Sequence, residues 1–479
     1  MSRTTVEFLL DHARQKPISF HMPGHKGSAF YERLGYGEFL KAFVDCDITE
    51  IPGADNLFQT EGILKETQKR YARLYNVDKS YLLINGTSGG IIASILASVN
   101  KGGKLIMARN CHKSVFNALT LGDITPVYMH PQMNQEYGIL GEITVAEVKK
   151  QIENAPESGA IILPSPNYYG ICSDIKAIAK VAHDHGKVLI VDQAHGAHMK
   201  WLGKAVGENY PLCAEESEAD IVINSTHKTL GSLTQSAVLN YNSRLVPVHL
   251  LEDKLQTIQS TSPSYVLMAS LDINAEILEV NGKELMDQWA DHLKVTYEEL
   301  SKIEGLDVIQ GLKMFDESKI NVDTTRLGIT ANDLEAFLIE KNIFAELTTG
   351  NILMFMTGIG NTKGDYDRLI EELGKAAAYF SRKKQGMDKG TARMTDATKP
   401  PMPKEPGLEA VPEKKVFVPL EKSVGRICGS MIIPYPPGIP ILCPGEKIEK
   451  DMVEYIRYLR KLGEKVIGVD EDGKILVGE

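Results

Sequence analysis

The pattern that most constrains this chain is a series of seven short apolar runs, separated by stretches of helical character, between residues 61 and 300. Strands that are apolar on both faces are typical of a parallel sheet covered by helices on each side. Predicted helices include Gly89–Val99, Ile175–His185 and the start of the stretch Val266–Ile303. The sequence therefore predicts an α/β fold with a mostly parallel, doubly wound sheet. The predicted strands are Tyr81–Ile84, Lys104–Ala108, Thr125–His130, Ala160–Pro164, Val188–Asp192, Ile221–Ser225 and Ala237–Tyr241.

Shifts in composition divide the chain into five parts. Residues 1–60 are rich in Gly, Pro, His and aromatic residues and are predicted to form an N-terminal arm. Residues 61–304 form the predicted large domain, and residues 305–383 a small α/β domain. Residues 384–414 are dense in Pro, Lys, Gly and Thr, which is typical of a linker, and residues 415–479 form a small C-terminal domain. The elements predicted in the two small domains are strands near Asp307–Ile309 and Ile352–Met356, helices near Ala331–Lys341, Asp365–Arg382 and Glu449–Leu462, and a hairpin around Asp470–Gly473.

The bulk composition excludes several classes of partner. The net charge is −10, whereas a nucleic-acid-binding protein usually presents a basic face, so we expect no nucleic-acid partner. No apolar run approaches the roughly 20 residues that span a bilayer, and the first residues carry no signal-peptide pattern, so we expect no membrane partner. The six cysteines are scattered without a CxxC pair, which indicates reduced thiols and a cytoplasmic location.

Two polar residues mark the ends of consecutive predicted strands, and together they indicate the chemistry. One strand ends in Asp192, and the next is followed by the sequence Ser225-Thr226-His227-Lys228. In a parallel sheet the carboxyl ends of the strands form the ligand-binding edge. A lysine there can hold an aldehyde cofactor through an imine, and a carboxylate can keep a pyridine nitrogen protonated. This pairing predicts pyridoxal phosphate (PLP), with the Ser225 hydroxyl and the His227 imidazole binding its phosphate.

Each half of this pair has an ordinary structural alternative. Asp192 alone could cap a strand end, and Lys228 alone could be a surface lysine, so the combination carries the prediction. Lys113 also follows a histidine and is a rival for the imine. It precedes the aspartate strand, however, and lacks the Gly-Ser turn that follows Lys228.

Small residues after the first predicted strand offer a site for an anion. Gly86, Thr87 and Ser88 lie where this strand gives way to an apolar helix. The free N–H groups and the positive dipole end of a helix N-terminus bind phosphate, and small side chains let the backbone approach it. An ordinary strand-to-helix turn is the alternative. His112 follows the next strand, where its ring can stack on a cofactor or simply be a satisfied structural histidine.

Two pairs of histidines raise the question of a metal. His21 and His25 are four residues apart, but the intervening Pro-Gly breaks any helix that would align them. His195 and His198 likewise lack the carboxylate or cysteine that would complete a ligand set. We therefore expect no metal site.

In combination these motifs resemble the Orn/Lys/Arg decarboxylase family in its short bacterial form, which lacks an N-terminal receiver-like wing domain. The resemblance covers nearly the whole chain and is highly specific. It implies the PLP-dependent aspartate-aminotransferase-type fold (fold type I), with residues 61–304 as the PLP-binding large domain and residues 415–479 as a C-terminal decarboxylase domain. The matching segments are His21–Gly27, Gly86–Ser88, Arg109–Ser114, Asp192–His195, Ser225–Lys228 with Gly231–Ser236, Thr261–Tyr265, and the sequences PYPPGIP and PGE at residues 434–440 and 444–446.

The resemblance also implies a role for each matched residue. Lys228 would form the imine with PLP, Asp192 would pair with its pyridine nitrogen, and His112 would stack on its ring; these three would be catalytic. The segment Thr261–Tyr265 resembles one that closes the site from a neighbouring subunit, which implies a homodimer or higher homo-oligomer with shared active sites. The remaining cofactor-binding positions would be Gly86, Thr87, Ser88, His195, Ser225, His227, Thr261 and Ser262.

The implied activity is α-decarboxylation of a basic L-amino acid. Arginine, giving agmatine and carbon dioxide for polyamine synthesis, is the first choice of substrate; lysine, giving cadaverine, is the second, and ornithine the third. An aminotransferase, an aldolase and a catalytically silent regulatory subunit are the alternatives. The segments at residues 21–27 and 434–440 argue against the first two, and the complete cofactor set argues against the third. The prolines at residues 434–440 also preset the backbone angles of a rigid segment, which would make a stable lip to a cavity; a structural turn is the alternative.

A cationic substrate tail requires a carboxylate in the site. The candidates, from the arm, the small domain and the C-terminal domain, are Glu50, Asp55, Glu346 and Glu446.

Three positions depart from the family pattern. Gln193 stands where Glu is frequent, and we expect its side chain to point away from the cofactor ring. Asn167 stands where Thr is frequent, and residues 345–351 keep the Glu but lose the common Asp-Leu-Tyr before Asn. The last two changes bear on the identity of the substrate.

Overall fold

The computed structural model describes residues 4–384, 411–434 and 438–479. The strands in this part of the chain are β1 (Ile18–Ser19), β2 (Lys79–Leu83), β3 (Lys104–Ala108), β4 (Thr125–Met129), β5 (Met133–Asn134), β6 (Ile139–Leu140), β7 (Ala160–Pro164), β8 (Val188–Asp192), β9 (Ile221–Asn224), β10 (Ala237–Tyr241), β11 (Asp307–Val308), β12 (Lys319–Asp323), β13 (Ile343–Phe344), β14 (Leu347–Thr349), β15 (Ile352–Met356), β16 (Lys415–Pro419), β17 (Ile433–Pro434), β18 (Val466–Ile467) and β19 (Lys474–Gly478).

Helices cover the strands. Within the described residues, no helix is both long and apolar enough to cross a membrane. The α-helices are α1 (Thr5–Gln15), α2 (Ser28–Arg33), α3 (Gly37–Lys41), α4 (Ile63–Tyr75), α5 (Gly86–Ser98), α6 (Lys113–Gly122), α7 (Val145–Asn154), α8 (Ile175–Asp184), α9 (Met199–Val206), α10 (Thr226–Thr229), α11 (Val248–Ile258), α12 (Tyr265–Val280), α13 (Gly282–Leu300), α14 (Ala331–Ile339), α15 (Lys363–Lys384) and α16 (Lys450–Lys461).

The large domain is built on a seven-stranded sheet in the order β2-β10-β9-β8-β7-β3-β4. Strands β4, β3, β7, β8 and β9 run parallel, and β10 pairs antiparallel with β9 and β2. Every residue of β8 and β9 is buried, as expected for central strands covered on both faces. This confirms the predicted α/β class with a mostly parallel sheet.

Most predicted elements of this domain lie where the structure has them. The predicted bounds of β3, β7, β8 and β10 agree with those observed, and β2 begins two residues earlier than expected. Helix α5 begins at Gly86 rather than Gly89, so the small residues after β2 are its first turn. The long stretch from Val266 onward is two helices, because the chain breaks at Asn281 between α12 and α13.

The small domain is a four-stranded antiparallel sheet in the order β11-β12-β15-β14. Sequence analysis missed β12 and β14. Strand β12 begins with Lys319 and ends with Asp323, charged residues that usually mark a surface, yet all five of its residues are buried. The N-terminal arm joins this domain through a parallel pairing of β1 with β13, with Ile18 opposite Ile343.

The C-terminal domain has its own core, in which α16 packs against β16 and β19. The predicted helix agrees with α16 to within one residue at each end. The predicted hairpin around Asp470–Gly473 is present: the Gly473 N–H donates to the Asp470 carbonyl (3.0 Å), and Val469 lies opposite Ile475 in an antiparallel bridge. The second strand of this hairpin, β19, also pairs with the distant β16. Residues 385–410 of the predicted linker and residues 435–437 of the proline-rich turn lie outside the described residues, and the domain boundaries stay a prediction.

Three backbone segments cross closely beside α10. Gly24 N–H donates to the His227 carbonyl (2.8 Å), and Gly360 N–H donates to the Gly24 carbonyl (3.0 Å). A Cβ on Gly24 would collide with the backbone of Leu230, and a Cβ on Gly360 would collide with the backbone of His25. These glycines are required because only a residue without a side chain allows this approach.

Replacing Gly360 with Ala is expected to lower the free energy of unfolding by about 1–3 kcal/mol, because the new methyl must displace backbone rather than a flexible side chain. Gly364→Ala is the matched control, since its Cβ would meet only the Thr362 hydroxyl at 3.7 Å and alanine favours the helix it joins. Urea unfolding measures both. Equal stability of the two variants would contradict the crowding argument.

The C-terminal domain contacts the small domain through polar groups. Asn332 Nδ2 donates to the Leu462 carbonyl (2.7 Å), and the Gly350 N–H donates to the Glu464 carboxylate. Burial raises the pKa of Glu464 from 4.5 to about 7. The folded protein therefore holds a proton on Glu464 between these pH values that the unfolded chain has lost, and stability falls as pH rises through this window.

Replacing Glu464 with Gln is expected to stabilise the protein at pH 8 and leave it unchanged near pH 4.5. Glutamine has no charge to desolvate and still accepts the Gly350 hydrogen bond. The gain at pH 8 should be about 1–2 kcal/mol, less than the full shift implies because Glu464 keeps some contact with water. Urea unfolding at both pH values, with the exposed Glu471→Gln as control, measures it. A difference that does not depend on pH would refute the assignment.

Candidate active site

A cavity of about 610 Å³ lies at the carboxyl ends of β7, β8 and β9. Parallel strands end at the same edge of the sheet, which is why residues far apart in sequence meet there. The small domain contributes Glu346, the N-terminal arm His21, and the C-terminal domain Ile439. Predicted site residues that line it are Gly86, Thr87, Ser88, His112, Asp192, His195, Ser225, His227, Lys228 and Glu346.

Lys228 lies on the short helix α10 that follows β9. Its Nζ donates to His195 Nε2 at 2.8 Å. Burial lowers the pKa of Lys228, and the charge of Asp192 offsets part of that effect. The rival Lys113 is not among the described residues that line the cavity. Lys228 is thus the lysine positioned to react with an aldehyde.

Asp192 ends β8 and faces the same cavity. Its Oδ1 accepts the Ala194 N–H at 3.1 Å. Burial raises the pKa of Asp192 even though Lys228 opposes the shift, so a protonated ring nitrogen would be a favourable partner for it. The neighbouring Gln193 turns into the interior, where its Nε2 donates to Glu215 (2.9 Å) and Asn224 (3.0 Å), as expected.

The first turn of α5 is open to an anion. Asn85, the N-cap residue, makes no side-chain capping bond, and Gly86 begins the helix with φ of +65°. Ser225 Oγ donates to Thr87 Oγ1 at 3.3 Å, which joins the two hydroxyls. His227 donates through Nδ1 to the Ser236 carbonyl (2.8 Å), and burial lowers its pKa to about 4. A bound phosphate would favour the protonated form of this ring.

His112 is the N-cap of α6. Its Nδ1 accepts the Ser114 N–H at 3.3 Å and lies 2.9 Å from the Ser114 hydroxyl, which places the ring proton on Nε2. Burial lowers the pKa of His112 to about 3, with a smaller contribution from Lys228. The ring is therefore neutral at physiological pH.

Glu346 brings a carboxylate to the cavity opposite these groups. Its Oε2 accepts the Met22 N–H (3.0 Å), and its Oε1 accepts the Tyr168 hydroxyl (2.9 Å). Its side chain is 4% exposed. His21 Nδ1 lies 3.8 Å from Glu346, and burial lowers the pKa of His21.

Sequence reasoning missed several residues that line the cavity. Tyr168 packs its ring 4.4 Å from the His195 ring, centroid to centroid. Asn167, a departure from the family pattern, precedes Tyr168 and is anchored to β6, because its side-chain amide donates to the Leu140 carbonyl at 2.7 Å. The motif at residues 21–27 was noted but given no role. Ile439 belongs to the proline-rich segment that was predicted to form a cavity lip. The other lining residues without a predicted place in the site are His21, Met22, Asn110, Pro164, Pro166, Asn167, Tyr168, Ala194, Phe344 and Ala345.

Three of the four predicted carboxylates do not reach the cavity in this chain. Glu50 is exposed on the arm. Asp55 accepts the backbone N–H groups of Gly62 and Leu64 at the start of α4, so it serves the helix. Glu446 pairs with Arg109 at 3.0 Å, with side-chain exposures of 5% and 2%. Asp55 and Glu446 therefore bind other groups of the protein, and Glu50 is solvated by water.

Thr261 and Ser262 also lie outside the cavity and are exposed. The prediction placed them in the site of a neighbouring subunit, and that stays a prediction.

The cavity residues fit PLP. Two buried polar atoms in the cavity wall, Asn110 Oδ1 and His195 Nδ1, have no hydrogen-bond partner among the described residues, which indicates a polar ligand. The donor set is matched to the molecule: a lysine for the aldehyde, a carboxylate for the ring nitrogen, and a helix N-terminus with two hydroxyls for the phosphate.

Comparison with known proteins agrees with this geometry. The chain matches the family model of the Orn/Lys/Arg decarboxylase major domain over residues 5–365 and that of the C-terminal domain over residues 391–474. It is 33% identical to the arginine decarboxylase of Bacillus subtilis (strain 168) over 464 residues, covering 94% of this chain and 91% of that relative. It is 32% identical to the arginine decarboxylase of Bacillus anthracis over 477 residues, covering 97% and 94%.

Among solved structures, lysine decarboxylase A from Pseudomonas aeruginosa has the same fold, with a TM-score of 0.76 at 20% sequence identity over 99% of this chain and 80% of that chain. The family models span both the catalytic cavity and the C-terminal domain that contributes Ile439 to it. The chain therefore belongs to the Orn/Lys/Arg decarboxylase family.

Proposed function

We propose that this protein uses PLP to remove the α-carboxyl group of a basic L-amino acid, with arginine as the substrate and agmatine as the product, a step of polyamine synthesis. One observation carries the proposal: Lys228, Asp192, the open first turn of α5 and the carboxylate of Glu346 line a single cavity. Four relatives with 32–33% identity are arginine decarboxylases, whereas lysine decarboxylases are more distant, at 24% identity for LdcA of Pseudomonas aeruginosa. Lysine is the second candidate.

PLP, when bound, supplies an electron sink for the electron pair that the departing carboxyl group leaves at the α carbon. Lys228 would hold its aldehyde, and Asp192 would hold a proton on its ring nitrogen. The N–H groups of Thr87 and Ser88, with the side chains of Thr87, Ser225 and His227, would hold its phosphate. His112 would lie against its ring.

The α carbon must receive a proton after carbon dioxide leaves. His112 is a poor donor because its neutral ring has a pKa of about 3. The Lys228 amine is the better donor, since it carries protons that it already shares with His195 Nε2. We therefore assign proton delivery to Lys228.

The cationic tail of the substrate would bind Glu346. Both of its oxygens accept neutral donors, the Met22 N–H and the Tyr168 hydroxyl, so the carboxylate is fixed in place while keeping its negative charge. A buried carboxylate without a permanent cation beside it is a strong site for a guanidinium or ammonium group.

We also propose that two copies assemble and share active sites, in the cytoplasm. The exposed segment at Ser260–Ser262 and the apolar side chains that α1 exposes, Val6 (65%), Leu9 (56%) and Leu10 (50%), support a partner surface. All six cysteines are free thiols, which supports a reducing compartment.

The decisive experiment offers arginine, lysine and ornithine separately to the purified protein with PLP and measures carbon dioxide and the amine product. We expect arginine to give the highest kcat/KM. Carbon dioxide from none of the three, in protein that binds PLP, would overturn the proposal.

Lys228→Ala is expected to remove the visible absorbance band of covalently held PLP and to lower kcat by about 10²–10⁴-fold. Lys113→Ala is the control, because Lys113 also follows a histidine but does not line the cavity. The variant should keep the band and most of its activity. The reverse result would transfer the cofactor to Lys113.

Glu346→Gln is expected to raise KM for arginine and lysine about 10- to 100-fold, the range for losing a charged hydrogen bond, with a smaller change in kcat. Glu50→Gln makes the same change at an exposed position and should leave KM within about twofold of the wild type. A raised KM in the Glu50 variant alone would assign tail binding to the arm.

A further inference from the structure

The C-terminal domain reaches the active site through one buried ion pair. Arg109 follows β3, and its guanidinium is sealed from water, with a residue exposure of 2%. Its Nη1 donates to the Pro440 carbonyl (2.6 Å), and its Nη2 donates to the Ile441 carbonyl (2.9 Å) and to Glu446 Oε2 (3.0 Å). All of these acceptors belong to the C-terminal domain.

Two aromatic rings flank the guanidinium. The rings of Phe116 and Tyr128 lie 5.3 and 5.4 Å from its central carbon. On the other side of the pair, Glu446 Oε2 also accepts the Cys443 N–H at 2.7 Å. The ion pair thus links the large domain to the C-terminal domain without access to solvent.

The ion pair of Arg109 with Glu446 lies next to a residue that lines the active-site cavity. Ile439 precedes Pro440 and lines the cavity, and the carbonyl of Gly438 accepts the Lys113 N–H at 3.3 Å. Residues 438–441 are therefore held by Arg109 and Lys113. These two residues flank Asn110 and His112, which line the same cavity. Ile439 is a partly exposed apolar side chain in the lining of the cavity, and such a side chain is a suitable contact for the methylene groups of a basic amino acid.

We propose that Arg109, through its ion pair with Glu446, is a positioning residue that holds Ile439 as the apolar wall against the substrate's methylene chain. Ile439 then contributes to discrimination among basic amino acids of different length. This inference rests on the proposed decarboxylase function for its kinetic consequence, but the docking of residues 438–446 does not depend on that function.

The kinetic test is a double-mutant cycle of Arg109→Met and Ile439→Ala. We expect each single variant to raise KM for arginine by about 10-fold, the scale of one lost apolar contact in a binding pocket, with kcat changed less than KM and the band of bound PLP retained. The double variant should be no worse than Arg109→Met alone, because Arg109 acts through Ile439. Effects that multiply would overturn the proposal.

Removing Arg109 alone leaves a buried carboxylate unpaired, which can unfold a protein. Arg109→Met/Glu446→Gln removes both charges and keeps an acceptor for the Cys443 N–H, so the folded protein contains no unpaired buried charge at this position. Because the bonds from Arg109 to residues 440 and 441 are still lost, its KM for arginine should stay raised. Arg457→Met is the control, since Arg457 pairs with Glu421 on the surface of the same domain, with exposures of 52% and 59%. It should behave as the wild type.

Hydrogen exchange gives a readout that needs neither activity nor cofactor. In Arg109→Met/Glu446→Gln the amide of Lys113 should exchange at least about tenfold faster, since its acceptor, the Gly438 carbonyl, is released, while β7 to β9 keep their protection. Unchanged exchange together with unchanged KM would refute the proposal. If the wild type decarboxylates none of the three amino acids, the proposed function fails, and exchange alone decides whether the pair holds the wall.

Discussion

The buried amine of Lys228 is the group on which the rest of the site depends. Removing an ammonium group from water costs several kcal/mol, and burial accordingly lowers the pKa of Lys228. Asp192 offsets part of this cost through its negative charge, and the neutral His195 ring accepts the amine's hydrogen bond at 2.8 Å. Burial thus favours the neutral form of the amine, which is the form that reacts with an aldehyde, while the negative charge of Asp192 acts against this shift.

The buried ion pair of Lys319 with Asp316 holds the backbone of His195 in place. Lys319 and Asp316 are both without solvent exposure and lie 2.5 Å apart, and Lys319 Nζ also donates to the His195 backbone carbonyl. Asp316 further accepts from His198 Nε2 (3.2 Å) and the Tyr210 hydroxyl (2.5 Å). Such a network adds little net stability, because desolvation opposes the attraction, but it fixes geometry. The small domain thus reaches the site through β12, the strand that begins with Lys319.

The parts that the sequence predicts are those set by local pattern. Apolar runs located β3, β7, β8 and β10, and the residues at the ends of the strands followed, because parallel strands share one edge. Strand β12 was missed since its charged ends look exposed, and only the tertiary partners Asp316 and His195 explain a buried Lys319. The resemblance to the decarboxylase family named the cofactor set, and the rigid prolines at residues 434–440 indicated a cavity lip. His21 and Met22 of the arm were given no place in the cavity, because their contact with Glu346 is set only by the tertiary fold.

Glu346 and Glu446 show why residue type alone did not identify which candidate carboxylate lines the cavity. Both are buried and both follow family motifs, but the partner of Glu446 is a cation 337 residues away in sequence, which cancels its charge. Glu346 is held by the neutral Met22 N–H and the Tyr168 hydroxyl. The nearby Lys26 has its pKa lowered to about 7 by burial, so it neutralises Glu346 only in part at physiological pH. Of the two carboxylates, only Glu346 keeps a charge that a substrate cation can satisfy, and it does so because its hydrogen-bond partners fix its position without supplying a permanent positive charge.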